Sequence, residues 1–282
     1  MLKGKFSFLK FLMTVVMVLA IVTGICEIKA SAEDIKSSEI EVIYLFDMDG
    51  TLTPSRQPMT EKFAKWFYDF INKNETYIVT GSDIGKIKDQ IPENIYEKIG
   101  GIYASMGNEL YKKGKIVYRR DFKPKKSLLK HLEAYRKNTK YPGQLYPNYI
   151  EKRCGMINFC VLGRDCPNEA RVEYGKWDAV NGERLEIQKE LTKLFKELDI
   201  VIGGAISIDI VPKGFGKEQV ADRVRKTYPK SLIVFVGDRT EEGGNDYSLA
   251  QRLLQLGNSE VIAVKDPEDT IKCLENYMTK RK

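Results

Sequence analysis

The chain contains 282 residues, of which 43% are hydrophobic and 30% are charged, so beyond its N-terminus the composition is that of a soluble globular protein with one or two domains. Its formal net charge is +7, but no basic run is interleaved with aromatic residues, which argues against a nucleic-acid-binding protein. His131 is the only histidine, and this nearly excludes a Ser-His-Asp triad and a histidine-ligated metal site. Leucines and lysines surround His131 on a helix-like stretch, so we interpret it as a surface residue.

The N-terminal segment has the three parts of a secretory signal. Lysines precede an apolar run over residues 11–26, and Ala30-Ser31-Ala32 offers the small residues of a cleavage site. The apolar run is short for a permanent bilayer span. We therefore predict a signal peptide over residues 1–32 that is cleaved after Ala32, and a secreted or otherwise exported protein. The alternative is an uncleaved anchor, in which case the chain would contact a membrane.

Cleavage after Ala32 would remove four lysines and one glutamate, and it would reduce the formal net charge from +7 to +4. This mild positive charge suits an enzyme that binds phosphorylated substrates. Four cysteines would remain, without a C-x-x-C pair and at a density far below that of a disulfide-built domain. We therefore expect free or partly buried thiols at Cys154, Cys160, Cys166 and Cys273.

The first part of the remaining chain alternates between strands and helices. Apolar residues predict a buried strand at Val42–Phe46 and a second at Thr76–Thr80, with an amphipathic helix over Thr60–Asn72 between them. Another helix is capped by Ser82-Asp83, and a third strand is predicted at Gly100–Ser105. Such alternation is typical of a parallel sheet, whose ligand site lies outside the carboxyl ends of its strands.

The middle of the chain has a different pattern. Extended segments are predicted at Cys154–Val161 and Ala205–Val211, and a helix over Glu183–Leu198 lies between them. Extended segments with one polar face favour an antiparallel sheet that is backed by helices. The alternating pattern then returns, with strands predicted at Leu232–Val236 and Glu260–Val264.

We therefore predict an α/β fold in which a Rossmann-like core with a parallel sheet is interrupted by an inserted α/β cap domain. The cap consists of an antiparallel sheet plus helices and comprises residues 118–214. The core comprises residues 33–117 and 215–282.

Two carboxylates follow the first predicted strand. Side chains alternate along a strand, so Asp47 and Asp49 leave its carboxyl end on the same side, where one can act as nucleophile and the other as acid/base. Gly50 allows the backbone to turn tightly beside a phosphate, and Thr51–Thr53 supplies hydroxyls near the next helix. This arrangement is typical of phosphoryl-transfer chemistry.

Further candidates lie at other strand ends and helix starts. Asp238 follows a later predicted strand and can meet Asp47 across adjacent strand ends, which predicts an oxygen-rich Mg²⁺ site. Lys217 begins the helix after the cap, where its ammonium can neutralise phosphate charge and hold Asp47 in place. Thr80 and Ser82, at the end of the second strand, offer hydroxyl and backbone N–H donors to a phosphate.

The block D-x-D-G-T-L-T at Asp47–Thr53 resembles the first motif of the haloacid dehalogenase (HAD) superfamily of phosphatases and phosphomutases. From about Glu41 to the C-terminus, the chain resembles eukaryotic-type phosphomannomutase. The segments that carry this resemblance are Leu45–Thr53 with Arg56, Arg153–Asn158 with Gly163 and Arg164, Ile202–Asp209, Gly237–Thr240 and Gly243–Asp246. Two features depart from the family pattern, namely the stretch Tyr103–Glu109 and the signal-like N-terminus.

The resemblance implies that Asp47 is the phosphorylated nucleophile and Asp49 the acid/base. It implies Mg²⁺ ligands at Asp47, at the backbone oxygen of Asp49 and at Asp238, and a hexose 1,6-bisphosphate as activator. The residues that it assigns to the sugar phosphate are Arg56, Arg153, Arg164, Ser207 and Asp209, with Arg171 as a further cap arginine.

The implied reaction interconverts mannose 6-phosphate and mannose 1-phosphate through an aspartyl-phosphate and a hexose bisphosphate, and it feeds GDP-mannose synthesis. A mutase must also grip a second phosphate, which Arg153 and Arg164, expected on cap strands, can do with forked hydrogen bonds. The expected partners are small-molecule sugar phosphates and a second copy of the chain bound through the cap. The family is expected in the cytoplasm, in conflict with the export signal.

Two other functions are compatible with the sequence. A HAD-type sugar-phosphate phosphatase would use the same aspartates and let water attack the aspartyl-phosphate. A non-catalytic secreted binding protein would keep the fold without the chemistry, but Asp47, Asp49, Lys217 and Asp238 are all present.

Overall fold

The computed structural model describes residues 41–281. The predicted signal segment over residues 1–32 and the predicted start of the core at residue 33 lie outside the described residues. Within residues 41–281, no helix is both long enough and apolar enough to cross a membrane.

The larger of two sheets contains a run of five parallel strands, continued by two antiparallel ones. In spatial order the strands are β11 (Ser259–Ala263), β10 (Leu232–Gly237), β1 (Val42–Phe46), β2 (Glu75–Val79), β3 (Gly101–Ala104), β4 (Glu109–Lys112) and β5 (Lys115–Arg119). The helices that connect or follow these strands are α1 (Glu61–Ile71), α2 (Ile84–Gln90), α3 (Glu93–Lys98), α7 (Glu218–Thr227), α8 (Tyr247–Leu256) and α9 (Pro267–Arg281). The predicted parallel strands are confirmed, each with ends within one residue of those expected.

The antiparallel strands β4 and β5 were not predicted from the sequence. A short 3₁₀ helix (Ser105–Gly107) turns the chain after β3, within the stretch that departs from the family pattern. Lys113 and Gly114 have φ angles of 48° and 71°, which a two-residue hairpin of the primed type requires. Because β5 ends at Arg119, the larger sheet extends past the predicted start of the cap at residue 118.

Strand β1 is buried on both faces and fixes the position of the residues that follow it. One face packs on α1, where the rings of Phe46 and Phe67 meet edge to face at 5.4 Å. Leu45 lies in the cluster on the opposite face. The Asp47 N–H donates to the backbone oxygen of Val236 at 2.9 Å, so Asp47 is held at the carboxyl edge of the sheet.

The smaller sheet consists of four antiparallel strands, and helices pack against it. The strands in spatial order are β6 (Ile150–Arg153), β7 (Met156–Phe159), β9 (Ser207–Pro212) and β8 (Leu198–Gly203). The helices are α4 (Lys126–Lys137), α5 (Asn168–Asn181) and α6 (Glu183–Leu194). The predicted α/β architecture, a mainly parallel sheet with an inserted antiparallel sheet and helices, is therefore confirmed. The exact domain boundaries stay a prediction.

Two elements near the smaller sheet are shorter than predicted. The helix expected over Glu183–Leu198 ends at Leu194, since a turn follows and Leu198 already begins β8. The segment expected to be extended over Cys154–Val161 is a strand only over Met156–Phe159, because Gly155 (φ 67°) forms the turn between β6 and β7.

The described cysteines are free thiols, as predicted. Cys154, Cys160 and Cys166 are buried, and Cys273 is half-buried. His131 is partly exposed on α4, where its ring meets that of Phe195 edge to face, in agreement with the predicted surface position.

Candidate active site

The carboxyl ends of the parallel strands and one side of the smaller sheet enclose a cavity of about 670 Å³. This volume lies within the range of small-molecule sites, about 300–1,000 Å³. The predicted site residues that line it are Asp47, Asp49, Arg56, Thr80, Ser82, Arg153, Arg164, Arg171, Ser207, Asp209 and Asp238. Lys217, the remaining predicted site residue, is fully buried behind Asp47. A ligand in the cavity would contact residues from both sheets.

Three carboxylates meet where the larger sheet borders the cavity. Asp47 follows β1, Asp238 follows β10, and Asp246 caps α8. One carboxylate oxygen of each lies within 4.8 Å of those of the other two. Mg²⁺ prefers oxygen ligands of this kind, so these residues fit the predicted ion.

Asp246 was not predicted as a site residue, because its segment, Gly243–Asp246, was identified only through the family resemblance and no role was assigned to the carboxylate. Lys217 Nζ donates to Asp47 Oδ1 at 2.5 Å and to Asp246 Oδ1 at 2.6 Å. Asp246 could have been identified as a second carboxylate that follows Asp238 closely in the sequence. The ammonium of Lys217 thus holds two carboxylates at once, instead of facing the cavity.

The burial of these charged groups shifts their ionisation. Burial alone would lower the pKa of Lys217, but Asp246 and Asp47 raise it above its ordinary value, so the ammonium stays charged. Burial raises the pKa of Asp47 well above its usual range, and Asp246 raises it further, against the effect of Lys217. Burial and Asp246 together raise the pKa of Asp238 to about 6. A divalent cation would relieve the repulsion among these carboxylates.

Gly50 allows Asp238 to approach the chain segment after β1. Its φ is 93°, a conformation that residues with a side chain rarely adopt. A Cβ atom at this position would lie 2.4 Å from Asp238 Oδ2 and 2.8 Å from its Cγ. The glycine of the D-x-D-G block is therefore required by the close approach of Asp238.

The carboxylate of Asp49 is held by donors from two neighbouring segments. Its Oδ1 accepts from the Arg56 N–H at 2.7 Å and from Gln90 Nε2 at 3.1 Å. Its Oδ2 accepts from the Ser82 hydroxyl at 3.4 Å, and the Ser82 N–H donates to Thr80 Oγ1 at 3.1 Å. Gln90 was not identified in the sequence, because nothing in the local pattern distinguishes it from a surface residue near a helix end.

Arginines line the cavity on the side of the smaller sheet. Arg153, the last residue of β6, donates from Nη1 to the backbone oxygen of Gly81 at 2.7 Å. Arg164 was predicted on a strand, but it lies in the loop after β7, because that strand ends at Phe159. Among the described residues, no acceptor bonds to the buried Nη1 of Arg171, which leaves this donor available to a ligand.

Glu151 connects the arginines to each other and to the larger sheet's helices. Its Oε2 lies 3.0 Å from Arg153 Nη2 and 3.1 Å from Arg164 Nε, and its other oxygen pairs with Lys86 of α2. Burial would raise the pKa of Glu151, but Arg153 and Lys86 lower it. This carboxylate, which was also not predicted from the sequence, orients the guanidiniums of two arginines that line the cavity.

Ser207 and Asp209 lie on one face of β9, as their spacing predicted, and both are buried at the cavity. Asp209 Oδ1 accepts from Asn158 Nδ2 at 2.6 Å, and the Ser207 hydroxyl donates to the backbone oxygen of Gly203 at 2.9 Å. Burial raises the pKa of Asp209, whereas Arg153 lowers it. These groups are fixed in place and can form hydrogen bonds to a polar ligand.

Residues 63–280 match the family described as eukaryotic phosphomannomutase. The chain is 32% identical over 248 residues to a phosphomannomutase of Dendrobium officinale, a match that covers 85% of this chain and 96% of that protein. It is 34% identical over 245 residues to a phosphomannomutase of Galdieria sulphuraria, with coverage of 82% and 92%.

Solved structures with similar folds include IMP-nucleotidase of Plasmodium falciparum and a haloacid dehalogenase-like hydrolase of Bacteroides thetaiotaomicron. The nucleotidase matches with a TM-score of 0.57 and 18% identity, over 88% of this chain and 73% of the other. The hydrolase matches with a TM-score of 0.54 and 13% identity, over 85% and 100%. At these identities the likeness shows a shared HAD-like fold. From the sequence matches, the chain belongs to the eukaryotic phosphomannomutase family.

Proposed function

We propose that this protein is a phosphomannomutase that interconverts mannose 6-phosphate and mannose 1-phosphate. The observation that carries the proposal is a single cavity with Asp47 and Asp49 on the larger sheet and Arg153, Arg164 and Arg171 on the other side. A phosphatase needs to hold only the reacting phosphate, whereas a mutase must also hold the phosphate at the far end of the sugar. Guanidiniums suit this second task, because they bind phosphate in forked hydrogen bonds.

In the proposed mechanism, Asp47 starts the cycle as an aspartyl-phosphate, formed from a hexose 1,6-bisphosphate that acts as activator. The bond between phosphorus and the Asp47 oxygen breaks, a bond to the C1 hydroxyl oxygen of mannose 6-phosphate forms, and Asp49 accepts the hydroxyl proton. The bisphosphate then turns round in the cavity. Asp47 attacks the phosphorus at C6, and Asp49 returns the proton to the leaving sugar oxygen, which gives mannose 1-phosphate.

Mg²⁺ would be held by Asp47, the backbone oxygen of Asp49 and Asp238, with Asp246 beside them. When bound, this cation neutralises charge on the oxygens of the transferring phosphoryl group. Lys217 keeps the Asp47 carboxylate in one orientation, since its ammonium is buried between Asp47 and Asp246.

The remaining predicted residues are assigned to the sugar phosphate. Thr80 and Ser82 border the reacting phosphate, Arg56 contacts the sugar phosphate next to Asp49, and Ser207 and Asp209 form hydrogen bonds to sugar hydroxyls. Their position at the cavity supports this assignment, since Thr80, Ser82, Ser207 and Asp209 are buried there and keep polar atoms that can bond to a ligand.

The proposal is tested with the purified chain, Mg²⁺ and a hexose 1,6-bisphosphate, with mannose 1-phosphate and glucose 1-phosphate assayed in parallel. A mutase converts the 1-phosphate to the 6-phosphate without stoichiometric release of inorganic phosphate. Inorganic phosphate released in proportion to substrate consumed would instead indicate a sugar-phosphate phosphatase. The absence of both activities would favour a non-catalytic binding protein.

We propose that the chain is exported and that its leader is removed after Ala32. The lysines, the apolar run and the small residues before Glu33 support this proposal. N-terminal sequencing of the protein from its native cells tests it, because cleavage predicts a chain that starts at Glu33. An intact Met1 on a cytosolic enzyme would contradict export.

We also propose that two copies associate through the smaller sheet's helices. Val180, Leu185 and Leu194 on α5 and α6 are large apolar residues that are 86%, 46% and 55% exposed, which supports a contact there. Light scattering after gel filtration tests this association, and a strictly monomeric protein at micromolar concentration would contradict it.

A further inference from the structure

We propose that Gln90 is a positioning residue that orients the carboxylate of Asp49, so that Oδ2 of Asp49 is the oxygen that exchanges the proton with the sugar. This inference deepens the proposed function and rests on it, because it takes Asp49 as the acid/base. It assigns a role to a side chain outside the cavity lining.

The amide of Gln90 is buried, and within residues 41–281 it donates only to the segment that carries Asp49. The residue is 5% exposed at the end of α2. Its Nε2 lies 3.1 Å from Asp49 Oδ1, 3.1 Å from Thr53 Oγ1 and 3.3 Å from the backbone oxygen of Gln57. One amide group therefore contacts the acid/base and two further points on residues 49–57.

The backbone of Gln90 holds the far end of the same segment. Its carbonyl oxygen accepts from the Met59 N–H at 2.8 Å. Arg56, which contributes both a donor to Asp49 and a side chain at the cavity, lies between these attachment points and has a φ of 60°. Such a backbone conformation costs energy and persists only where its surroundings fix it. The contacts of Gln90 provide part of that fixation.

The two oxygens of Asp49 have different surroundings. Oδ1 accepts from two N–H groups, the amide of Gln90 and the backbone of Arg56. Oδ2 has one contact within the described part of the chain, the Ser82 hydroxyl at a long 3.4 Å. Since Oδ1 is already engaged by two donors, a sugar hydroxyl finds its acceptor at Oδ2.

The chemical type of residue 90 matters to this arrangement. Methionine is similar in length but offers no N–H donor, so it would remove one of the two donors to Asp49 Oδ1. Glutamate has the same shape but would place a second carboxylate against Asp49 Oδ1. Both substitutions retain a side chain long enough to fill the site.

The test compares two aryl phosphates as phosphoryl donors to Asp47, by the burst of phenol released in the first turnover. Phenyl phosphate has a basic leaving group that needs a proton from Asp49, whereas 4-nitrophenyl phosphate has a leaving group that needs little help. For Gln90→Met we expect the burst rate with phenyl phosphate and the mutase kcat to fall about 10–100-fold, the range found when a partner that orients a metal ligand is removed. The 4-nitrophenyl phosphate burst and the mutase KM should stay within about threefold, because binding and Asp47 are untouched.

Gln219→Met is the matched control. Gln219 is 7% exposed, and its Nε2 also donates to three acceptors, Met106 O, Asn108 Oδ1 and Phe215 O at 2.9–3.1 Å. This variant should lose thermal stability as Gln90→Met does, but keep the wild-type ratio of the two aryl phosphate rates. Equal losses on both aryl phosphates in Gln90→Met would overturn the positioning role.

A second variant keeps the inference testable if Gln90→Met does not fold. Gln90→Glu is isosteric and should also slow phenyl phosphate more than 4-nitrophenyl phosphate, and an unchanged ratio would overturn the inference. The aryl phosphate ratio does not depend on mannose phosphates. A wild-type chain that cleaves both aryl phosphates but interconverts no sugar phosphate would therefore contradict the proposed function separately.

Discussion

Lys217 and Asp47 are 170 residues apart in sequence, yet Lys217 Nζ lies 2.5 Å from Asp47 Oδ1 in a contact that no solvent reaches. The second carboxylate on the same ammonium belongs to Asp246, at 2.6 Å. A buried cation between two carboxylates fixes the orientation of each. Lys217 therefore positions the proposed nucleophile from the protein interior, on the side away from the cavity.

Replacement of this lysine tests its role. Lys217→Met leaves two buried carboxylates without their cation, so we expect mutase turnover to fall by at least about 100-fold, as when a preorganised donor is removed. The melting temperature should also fall, because breaking a buried ion pair costs about 3–5 kcal/mol. Lys213→Met, at an exposed lysine of the preceding loop, is the control and should change neither. Turnover of Lys217→Met within tenfold of wild type would contradict the role.

Gly50→Ala tests the close approach of Asp238. The new Cβ would lie 2.4 Å from Asp238 Oδ2, so Asp238 must move, and we expect the Mg²⁺ concentration for half-maximal turnover to rise at least about tenfold. Gly257→Ala is the matched control, since Gly257 has a φ of 73° but no atom within 4 Å of a new Cβ. Both variants should lose stability from backbone strain. Equal Mg²⁺ requirements in the two variants would refute the steric explanation.

Glu151→Gln tests the orientation of the arginines. The neutral amide weakens the contacts of Arg153 and Arg164, so we expect the KM for mannose 1-phosphate to rise about 10-fold or more, while a small aryl phosphate without a distal phosphate is affected less. Glu197→Gln is the control, because it removes an exposed ion pair with Lys125. This variant should leave the kinetics with both substrates unchanged. A similar loss on both substrates would indicate that Glu151 supports folding instead.

The raised pKa of Asp238, about 6, predicts how Mg²⁺ binding depends on pH. The carboxyl must lose its proton to bind the cation, so between pH 7 and pH 5 the affinity should fall at least about tenfold. Calorimetric titration of Mg²⁺ at pH 5, 6, 7 and 8 measures this. A flat profile from pH 5 to pH 8 would show that Asp238 is ionised throughout.

The raised pKa of Asp238 has the opposite effect on the stability of the metal-free protein, which should fall as the pH rises. The folded chain holds the Asp238 proton more tightly than the unfolded chain does. The contribution of Asp238 to stability is therefore fully present below about pH 4 and is lost as the pH rises through 6. Mg²⁺ should restore stability at neutral pH.

The strands and the residues at their ends could be predicted, because each strand is marked by a run of consecutive apolar residues. Val42–Phe46 is apolar throughout, and the position of Asp47, Asp49 and Asp238 after such strands follows from the topology of a parallel sheet. Strand β5 could not be predicted in this way, since its residues are mostly exposed and offer no apolar alternation.

The missed site residues act through partners that are distant in the chain. Asp246 bonds to Lys217, and Gln90 bonds to Asp49. Glu151 pairs with two arginines and with Lys86. A charged or amide side chain on a helix or an edge strand is usually solvated, so its own neighbours in sequence do not reveal these contacts. The tertiary fold brings these partners together, and for Glu151 and Lys86 it does so between the smaller sheet and a helix of the larger one.

In the proposed mechanism, Asp47 carries the phosphoryl group during mutase turnover. The most direct measurement is mass spectrometry of rapidly quenched protein after incubation with a hexose 1,6-bisphosphate and Mg²⁺, followed by a chase with mannose 6-phosphate. We predict a phosphorylated peptide at Asp47 that disappears in the chase as bisphosphate forms, and no labelling in Asp47→Asn. Labelling at another residue, or turnover of Asp47→Asn within about tenfold of wild type, which is roughly 1.4 kcal/mol of barrier, would contradict the account.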